Sequence, residues 1–268
     1  MADRDRVGNF SERRLPDTRL IAIDWLDVGM RKHNVMGIVE IDVTLAREKL
    51  GEMGAEAPGF TAWVVKCIAT AAGERPEVHG IKKGKKLIVF EDVDVTVLVE
   101  AEMKGKLVPR PSVIRKVNAK NIEEIDKRLS GHKKGTASGE LVLGDRRSAR
   151  LARFFLFMPG FLRRWGLRAL AKRPFLAKKT MGTIVVTSLG MFGENVTGWA
   201  LPISAHPLTF ALGSITRKPG VVDDRIEIRE YLQMTVVFDH DVVDGGPATR
   251  FTARLAELMA SAHGLVPD

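Results

Sequence analysis

The chain has 268 residues, 45% of them hydrophobic and 28% charged, with a formal net charge of +9, which is typical of a globular domain with a sizeable core. No apolar run approaches the roughly 20 residues that cross a bilayer, and the charged N-terminus lacks the apolar core of a signal peptide, so we expect a cytoplasmic protein. The single cysteine, Cys67, excludes an intrachain disulfide and argues against a cysteine-ligated zinc site, so no metal site is predicted. Cys67 lies in an apolar segment, where we expect a buried thiol that acts as a small hydrophobe.

The first quarter of the chain combines strand and helix patterns. Residues 1–18 are polar and predict a flexible N-terminal segment before one domain over 19–268. Thr44 is a candidate N-cap because it directly precedes a helical pattern. In chain order, the patterns predict a helix or an extended lead-in at 19–33, a strand at 35–43, a short helix at 44–54 and an apolar helix at 59–76.

The middle of the chain is mostly extended. Residues 85–105 predict two strands, and the alternation in DVDVTVLVE indicates one buried face. Residues 106–116 are predicted to be extended because two prolines exclude a helix. An amphipathic helix follows at 118–131, with Ile122 and Ile125 on its apolar face.

The C-terminal part adds more strands and one helix. The patterns predict a strand at 182–193 that runs into a glycine-rich turn, a strand at 208–215, one or two strands at 225–243 and a helix at 245–264. Because strands outnumber helices and the two are mixed, we predict an α/β fold, a two-layer sandwich whose mixed sheet is covered by helices on one side.

His240 is the first candidate for chemistry. It follows the apolar strand sequence MTVVF, so the sheet would hold its backbone rigid at the edge of a cleft. An imidazole titrates near neutral pH and therefore suits a general base. Asp244 lies four residues on, and Gly245 and Gly246 would allow a tight turn into the last helix. The residues alone fit equally well a structural turn in which the aspartate caps that helix.

The segment around His240 resembles the H-x-x-x-D-G motif of the dihydrolipoyl acyltransferases of 2-oxoacid dehydrogenase complexes, a motif and fold that the chloramphenicol acetyltransferases share. Three further segments resemble the same family in the same order, so the resemblance spans roughly 19–263. The matching segments are VMGIVEIDVTLAREKL, KGKLVPRPSVIRKVNAKNIEEI, GTIVVTSLGMFG and TVVFDHDVVDGGPATRFTARLAEL.

The resemblance implies roles for particular residues. His240 would remove a proton from an acceptor thiol or hydroxyl that attacks an acyl thioester. A hydroxyl in VVTSLG would stabilise the oxyanion, and of Thr187 and Ser188 we prefer Ser188; the alternative is a strand hydroxyl that bonds the backbone. Asp244 would form a structural ion pair with Arg19, unless Arg19 is a surface residue without a partner.

The same resemblance implies coenzyme A as the acyl carrier, a homotrimer with the active site between subunits, and in some cases a larger cage. Full-length family members carry a lipoyl domain that this sequence lacks, so a lipoyl group would have to come from a partner chain. The family's usual asparagine is replaced by Ser204, and Asp241 stands where an arginine is common. Both changes bear on the identity of the acceptor more than on the chemistry of acyl transfer.

The largest departure from the family is a basic aromatic insert at about 145–180. Residues 146–179 contain eleven lysines or arginines and no acid, so the rest of the chain is slightly acidic. Three interpretations compete: amphipathic helices on an anionic membrane, a lid or docking surface whose arginines meet the phosphates of coenzyme A, and a helical hairpin that packs its aromatics on the core or on a neighbouring subunit with solvated charges. Arg163, Arg164 and Arg168 are the candidate phosphate or membrane contacts. The insert's aromatic residues are Phe154, Phe155, Phe157, Phe161, Trp165 and Phe175.

Three functions therefore remain open from the sequence. The first is a coenzyme A-dependent acyltransferase with His240 as its base. The second is a non-catalytic trimer or cage that recruits partners or membrane through the insert, and the third is an auxiliary subunit that receives a lipoyl arm. Nucleic-acid binding is not expected because the basic residues are confined to one insert and no recognised module is present.

Overall fold

A computed structural model describes residues 8–103, 106–133, 158–189 and 197–266. Within these ranges the helices are α1 (Asp17–Gly29), α2 (Thr44–Met53), α3 (Phe60–Glu74), α4 (Ile122–Lys133), α5 (Gly160–Ala171), α6 (Pro174–Met181) and α7 (Gly245–Ala260). The strands are β1 (Asn34–Asp42), β2 (Ile81–Lys83), β3 (Lys86–Ile88), β4 (Val95–Met103), β5 (Lys106–Ile114), β6 (Ile184–Ser188), β7 (Leu208–Val222) and β8 (Arg225–Asp239). No helix in these ranges is both long enough and apolar enough to cross a membrane.

Six strands form one mixed sheet in the order β1-β8-β7-β6-β4-β5, which confirms the predicted α/β fold. β6 is parallel to both of its neighbours, β4 and β7, and the other pairs are antiparallel. β5 contains Pro109 and Pro111 and lies at the sheet edge, where the missing N–H groups of proline are tolerated. The prediction that the two prolines exclude a helix is confirmed, and the extended segment forms an edge strand.

The apolar core lies between one face of the sheet and helices α3, α4 and α7. α3 is the centre of this layer, and its Trp63 is fully buried while its Nε1 donates to the carbonyl of His263 at 3.1 Å. Cys67 lies in the same helix, and burial raises the pKa of its thiol to about 12, which confirms that it is an inert core residue. Each large apolar side chain buried here contributes about 1.5–3 kcal/mol.

The opposite face of the central strands is also buried, but it is more polar than the core face. Thr209 and Gln233 lie on it, and both contact the segment 198–206. The Oγ1 of Thr209 donates to the Oγ of Ser204 at 2.5 Å, and the side-chain oxygen of Gln233 accepts from the N–H of Gly198 at 2.7 Å. The prediction of helices on one face is therefore incomplete, because an irregular segment covers part of the other face.

Several local expectations need correction. Thr44 is the first residue of α2 rather than its N-cap, and its N–H and hydroxyl both donate to the carboxylate of Asp42. β3 lies in the segment 85–105 where two strands were predicted, but its partner β2 was not predicted, because β2 has only three residues and two of them are lysines. β7 extends to Val222 instead of ending at 215, because β8 pairs with it along that whole length.

The basic insert contains α5 and α6 where the structure describes it. Helices were predicted there and are present, whereas 146–157, including three of the six aromatics, lies outside the described residues. Of the two alternatives for 19–33, a helix or an extended lead-in, the helix is observed as α1. Helix α5 packs against it. The flexibility expected of 1–18 stays a prediction.

Candidate active site

His240 lies in the turn between β8 and α7, with its side chain exposed and its backbone held. Its N–H donates to the carbonyl of His33 at 2.9 Å, which ties the turn to the start of β1. The carbonyl of Asp239 accepts from the N–H groups of Val242 and Val243 at 2.9 and 3.1 Å. A fixed backbone with an exposed imidazole is the arrangement that a general base at a cleft requires.

A buried carboxylate supports this turn from below. Asp239 is buried, and its Oδ2 lies 2.6 Å from the Nζ of Lys32 while its Oδ1 accepts from the N–H of Asp241 at 3.2 Å. Removal of either partner would leave a charge with little solvent, so this pair fixes the shape of the turn. The sequence did not reveal it, because Lys32 and Asp239 are more than 200 residues apart.

A second, exposed network lies beside His240. The Nδ1 of His33 is 3.0 Å from Oδ1 of Asp241, and the Nζ of Lys82 is 3.4 Å from Oδ2 of the same carboxylate. The hydrogen bond from His33 is the main cause that holds the pKa of Asp241 below its usual value. His33 is exposed, and Asp241 is its partner.

This contact brings a lysine-rich hairpin next to the candidate base. Lys82 belongs to β2, and four of the five residues at 82–86 are lysines, all of them exposed. The only acid paired with them in the described part of the chain is Asp241. The hairpin therefore places positive charge beside His240.

Asp244 and the two glycines begin the last helix. Asp244 occupies the N-cap position of α7, but its exposed carboxylate makes no capping hydrogen bond, and only its carbonyl accepts from the N–H of Ala248. The turn itself is formed by residues 239–243. Gly245 and Gly246 are the first residues of α7 and have no positive φ, so the backbone does not require glycine at either position.

The expected ion pair between Arg19 and Asp244 is not formed. Both side chains are exposed, and within the described ranges neither one makes an ion pair. The acids of α1 contact the insert instead, and Asp24 is the partner of Arg163 at 2.6 Å. α1 packs against α5, and no local sequence pattern indicates this tertiary contact.

Thr187 and Ser188 lie at the C-terminal end of β6, half-buried. Within the described residues neither hydroxyl makes a hydrogen bond, so the alternative of a strand hydroxyl bonded to the backbone is not observed. The two side chains point to opposite faces of the sheet, because Ser188 alternates with the core residues Ile184 and Val186 and Thr187 does not.

The structure does not bring these hydroxyls to His240 within one chain. Ser188 pairs in register with Leu212, and Leu212 pairs with Met234 of β8. His240 is six residues beyond Met234, and six extended residues span about 20 Å. The base and the candidate oxyanion donors therefore lie toward opposite ends of the sheet.

Two other histidines are excluded as bases by burial. His79 and His206 are buried, and desolvation lowers the pKa of each to about 4. The Nδ1 of His79 lies 2.9 Å from the hydroxyl of Thr183, and the Nε2 of His206 lies 3.1 Å from the carbonyl of Met181. Both are neutral structural residues near pH 7.

Ser204, the residue expected to stand in place of an asparagine, is also structural. Its hydroxyl accepts from the hydroxyl of Thr209 and, at 3.1 Å, from the N–H of His206, and its carbonyl accepts from the side chain of Asn34 at 3.0 Å. These bonds hold the segment that covers the polar sheet face. In this chain, then, the hydroxyl of Ser204 is engaged in packing.

Comparison with known proteins places the site in a family context. Residues 31–150 and 167–266 match the family described as 2-oxoacid dehydrogenases acyltransferase (catalytic domain). A curated relative, the lipoamide acyltransferase component of the branched-chain alpha-keto acid dehydrogenase complex of Bacillus subtilis (strain 168), is 25% identical over 232 residues, covering 84% of this chain and 46% of the relative. The chain thus spans about half the length of that relative.

Two solved structures share the fold. A probable dihydrolipoamide acetyltransferase from Listeria monocytogenes 4b F2365 has a TM-score of 0.69 at 18% identity, covering 95% of this chain and 96% of the other. The cubic core of the pyruvate dehydrogenase multienzyme complex has a TM-score of 0.66 at 18% identity, covering 97% of this chain and 95% of the other.

Proposed function

Because this chain belongs to the family of 2-oxoacid dehydrogenase acyltransferase catalytic domains, we propose that it transfers an acyl group between coenzyme A and a thiol or other small nucleophile, with His240 as the general base. The observation that carries the proposal is the exposed imidazole of His240 on a backbone fixed by His33 and by the turn at Asp239. The family match includes this turn.

The chemistry follows from the properties of a thiol. A free thiol is mostly protonated at pH 7, and His240 accepts its proton as the sulfur attacks the thioester carbonyl. The carbonyl oxygen then carries a negative charge, and the hydroxyl of Ser188 or Thr187 donates to it. When the tetrahedral intermediate collapses, the C–S bond to the leaving thiolate breaks and the imidazolium returns the proton to that sulfur.

The separation within one chain supports an assembly in which two copies complete each site. The imidazole of one copy would face the hydroxyls of the next, because about 20 Å separates them along a single sheet. A closed ring of such head-to-tail contacts, as in a homotrimer, gives every copy one complete site. The structural neighbour that forms a cubic core supports assembly of several copies, in a trimer or a larger cage.

The charge near His240 supports an anionic donor. Coenzyme A carries phosphates, and the exposed lysines of residues 82–86 lie beside the turn through the contact of Lys82 with Asp241. The arginines first considered for this role, Arg163 and Arg168, are instead paired with Asp24 and Asp27. We assign the phosphate contact to the lysine hairpin. We also propose that the acceptor is a thiol or another small nucleophile, which includes a dihydrolipoyl group supplied by a partner chain.

The proposal is tested by release of the coenzyme A thiol from short acyl-CoA donors in the presence of dihydrolipoamide and a panel of other thiols. His240→Ala is expected to lower turnover by about 10²- to 10⁴-fold, because the base is lost. His33→Ala is the matched control: it removes an exposed imidazole from the same network but leaves the carbonyl that holds His240. Equal turnover by wild type and His240→Ala would refute the assignment.

A further inference from the structure

Helix α5 of the insert has its charged side toward the protein. The Nε of Arg163 lies 2.6 Å from Asp24, Nη1 of Arg164 lies 3.5 Å from the same carboxylate, and Nη2 of Arg168 lies 2.6 Å from Asp27. The hydrogen bond from Arg168 is the main cause that lowers the pKa of Asp27. α5 is therefore anchored on α1 by its arginines.

The anchor fixes the orientation of α5. The side chain of Asp24 is only 2% exposed, and that of Arg163 is 12% exposed. Rotation of α5 would therefore separate the buried carboxylate of Asp24 from its cationic partner. Arg163 also donates to the carbonyl of Met158 at 3.0 Å, which ties the start of the helix to the same side. The outward side of α5 is thus set by the inward contacts.

That outward side is apolar and exposed. Phe161 is 64% exposed and Trp165 is 69% exposed, and Leu162 lies between them; these three residues are named the aromatic face. The supporting helix α1 also exposes Ile23 and Leu26, Met30 is exposed directly after it, and α6 exposes Phe175 and Leu176. Clustered large apolar side chains in water mark an interaction surface.

The aromatic face lies outside the part of the chain that is shared with the family. The family match leaves out residues 151–166, so the first half of α5, with the whole aromatic face, is not part of the common pattern. The family resemblance therefore assigns no occupant to this face.

The charges around the face indicate the chemistry of that occupant. Lys172, Arg173 and Lys179 are exposed at the end of α5 and along α6, and 146–179 contains no acidic residue. Three acids that contact the insert, Asp24, Asp27 and Asp94, are already paired with its basic residues. The surface therefore combines exposed aromatics with exposed cations, and its complement is both apolar and anionic.

We propose that the aromatic face docks the protein on an anionic lipid bilayer. Tryptophan and phenylalanine partition into the boundary between headgroups and acyl chains, about 5–10 Å deep, while lysine and arginine remain at the lipid phosphates. The ion pairs with α1 present the face already ordered, so no helix has to fold on binding. This surface function goes beyond acyl transfer and does not depend on it.

The test is co-sedimentation of the full chain with vesicles of phosphatidylcholine alone and of phosphatidylcholine mixed with phosphatidylglycerol. The wild type is expected to sediment with the anionic vesicles and not with the neutral ones. Phe161→Ala/Trp165→Ala is expected to lower the bound fraction about tenfold or more, because the apolar area that inserts is lost. Emission of Trp165 should shift to the blue on binding, and Trp165→Phe should remove that shift.

Val221→Ala/Ile226→Ala is the matched control, since these residues are 76% and 79% exposed on the β7–β8 hairpin. It should bind anionic vesicles as the wild type does, and all variants should keep the circular dichroism of the wild type. The proposal is overturned if the wild type stays in solution with anionic vesicles, which would leave the face to a protein partner. It is also overturned if the aromatic variant sediments like the control, or if neutral vesicles bind equally well.

Discussion

The turn of His240 and helix α5 each depend on a buried ion pair, but they expose different kinds of side chain to solvent. In the turn, buried Asp239 binds Lys32 and the resulting scaffold leaves an imidazole exposed. In the helix, buried Asp24 binds Arg163 and the resulting scaffold leaves aromatic side chains exposed. In both regions a buried carboxylate fixes what faces solvent, so the chemistry of a surface depends on which side chains the ion pairs have already engaged.

The sharpest test of the turn is complementation between two inactive variants. His240→Ala lacks the base, and Thr187→Ala/Ser188→Ala lacks both candidate oxyanion donors, which typically contribute about 10²- to 10³-fold. If each site uses the imidazole of one copy and the hydroxyls of the next, every mixed trimer co-expressed from both should recover activity at one of its three sites. Thiol release by assemblies purified through two different tags measures this recovery.

The control for complementation is His240→Ala co-expressed with itself under the same two tags, which should stay inactive. Mixed assemblies that are as inactive as this control would mean that the base and the hydroxyls do not meet between copies.

The anchor of α5 can be tested by a comparison of two aspartates on one helix. Asp24→Ala removes the buried carboxylate that pairs with Arg163 and Arg164, and breaking a buried pair costs about 3–5 kcal/mol of unfolding free energy. Asp27 is 38% exposed and its ion pair is screened by solvent, so Asp27→Ala should cost much less than Asp24→Ala. Denaturant unfolding curves give both values, and equal losses would contradict the buried-anchor interpretation.

A smaller effect is expected at the lysine hairpin. Lys83→Ala/Lys85→Ala removes two exposed charges near His240 but leaves the contact of Lys82 with Asp241 intact. The KM for acyl-CoA should rise severalfold with little change in kcat, and less so as salt increases, because exposed charges are screened within about 10 Å at 0.1 M salt. Lys120→Ala/Lys127→Ala is the control, with charges removed elsewhere; an equal rise in its KM would argue against a local phosphate contact.

Much of the fold could be predicted from the sequence because it depends on local sequence patterns. The apolar helix α3, the edge strand with Pro109 and Pro111 and the mixed sheet all follow from periodicity and from the backbone chemistry of proline. Strand β3 lies within the predicted region 85–105, but β2 and its pairing with β3 escaped prediction, because a three-residue strand with two lysines shows no alternation.

The candidate site was only partly predictable. His240 was found because it follows an apolar strand and resembles a family motif, and its exposure on a fixed backbone agrees with that choice. The partners of the turn were not found, because Lys32 with Asp239 and His33 with Asp241 join residues about 207 positions apart. Sequence separation of that size leaves no local signal.

By itself, the sequence determined the fold class, the candidate base and the existence of a basic aromatic insert, since each depends on residue type and short-range spacing. The tertiary structure alone decided which way the insert faces and which groups can meet. The arginines of α5 face inward because Asp24 is buried beneath them, and that turns the aromatic face to solvent. Likewise, strand register alone separates His240 from Ser188, because it fixes position along the sheet.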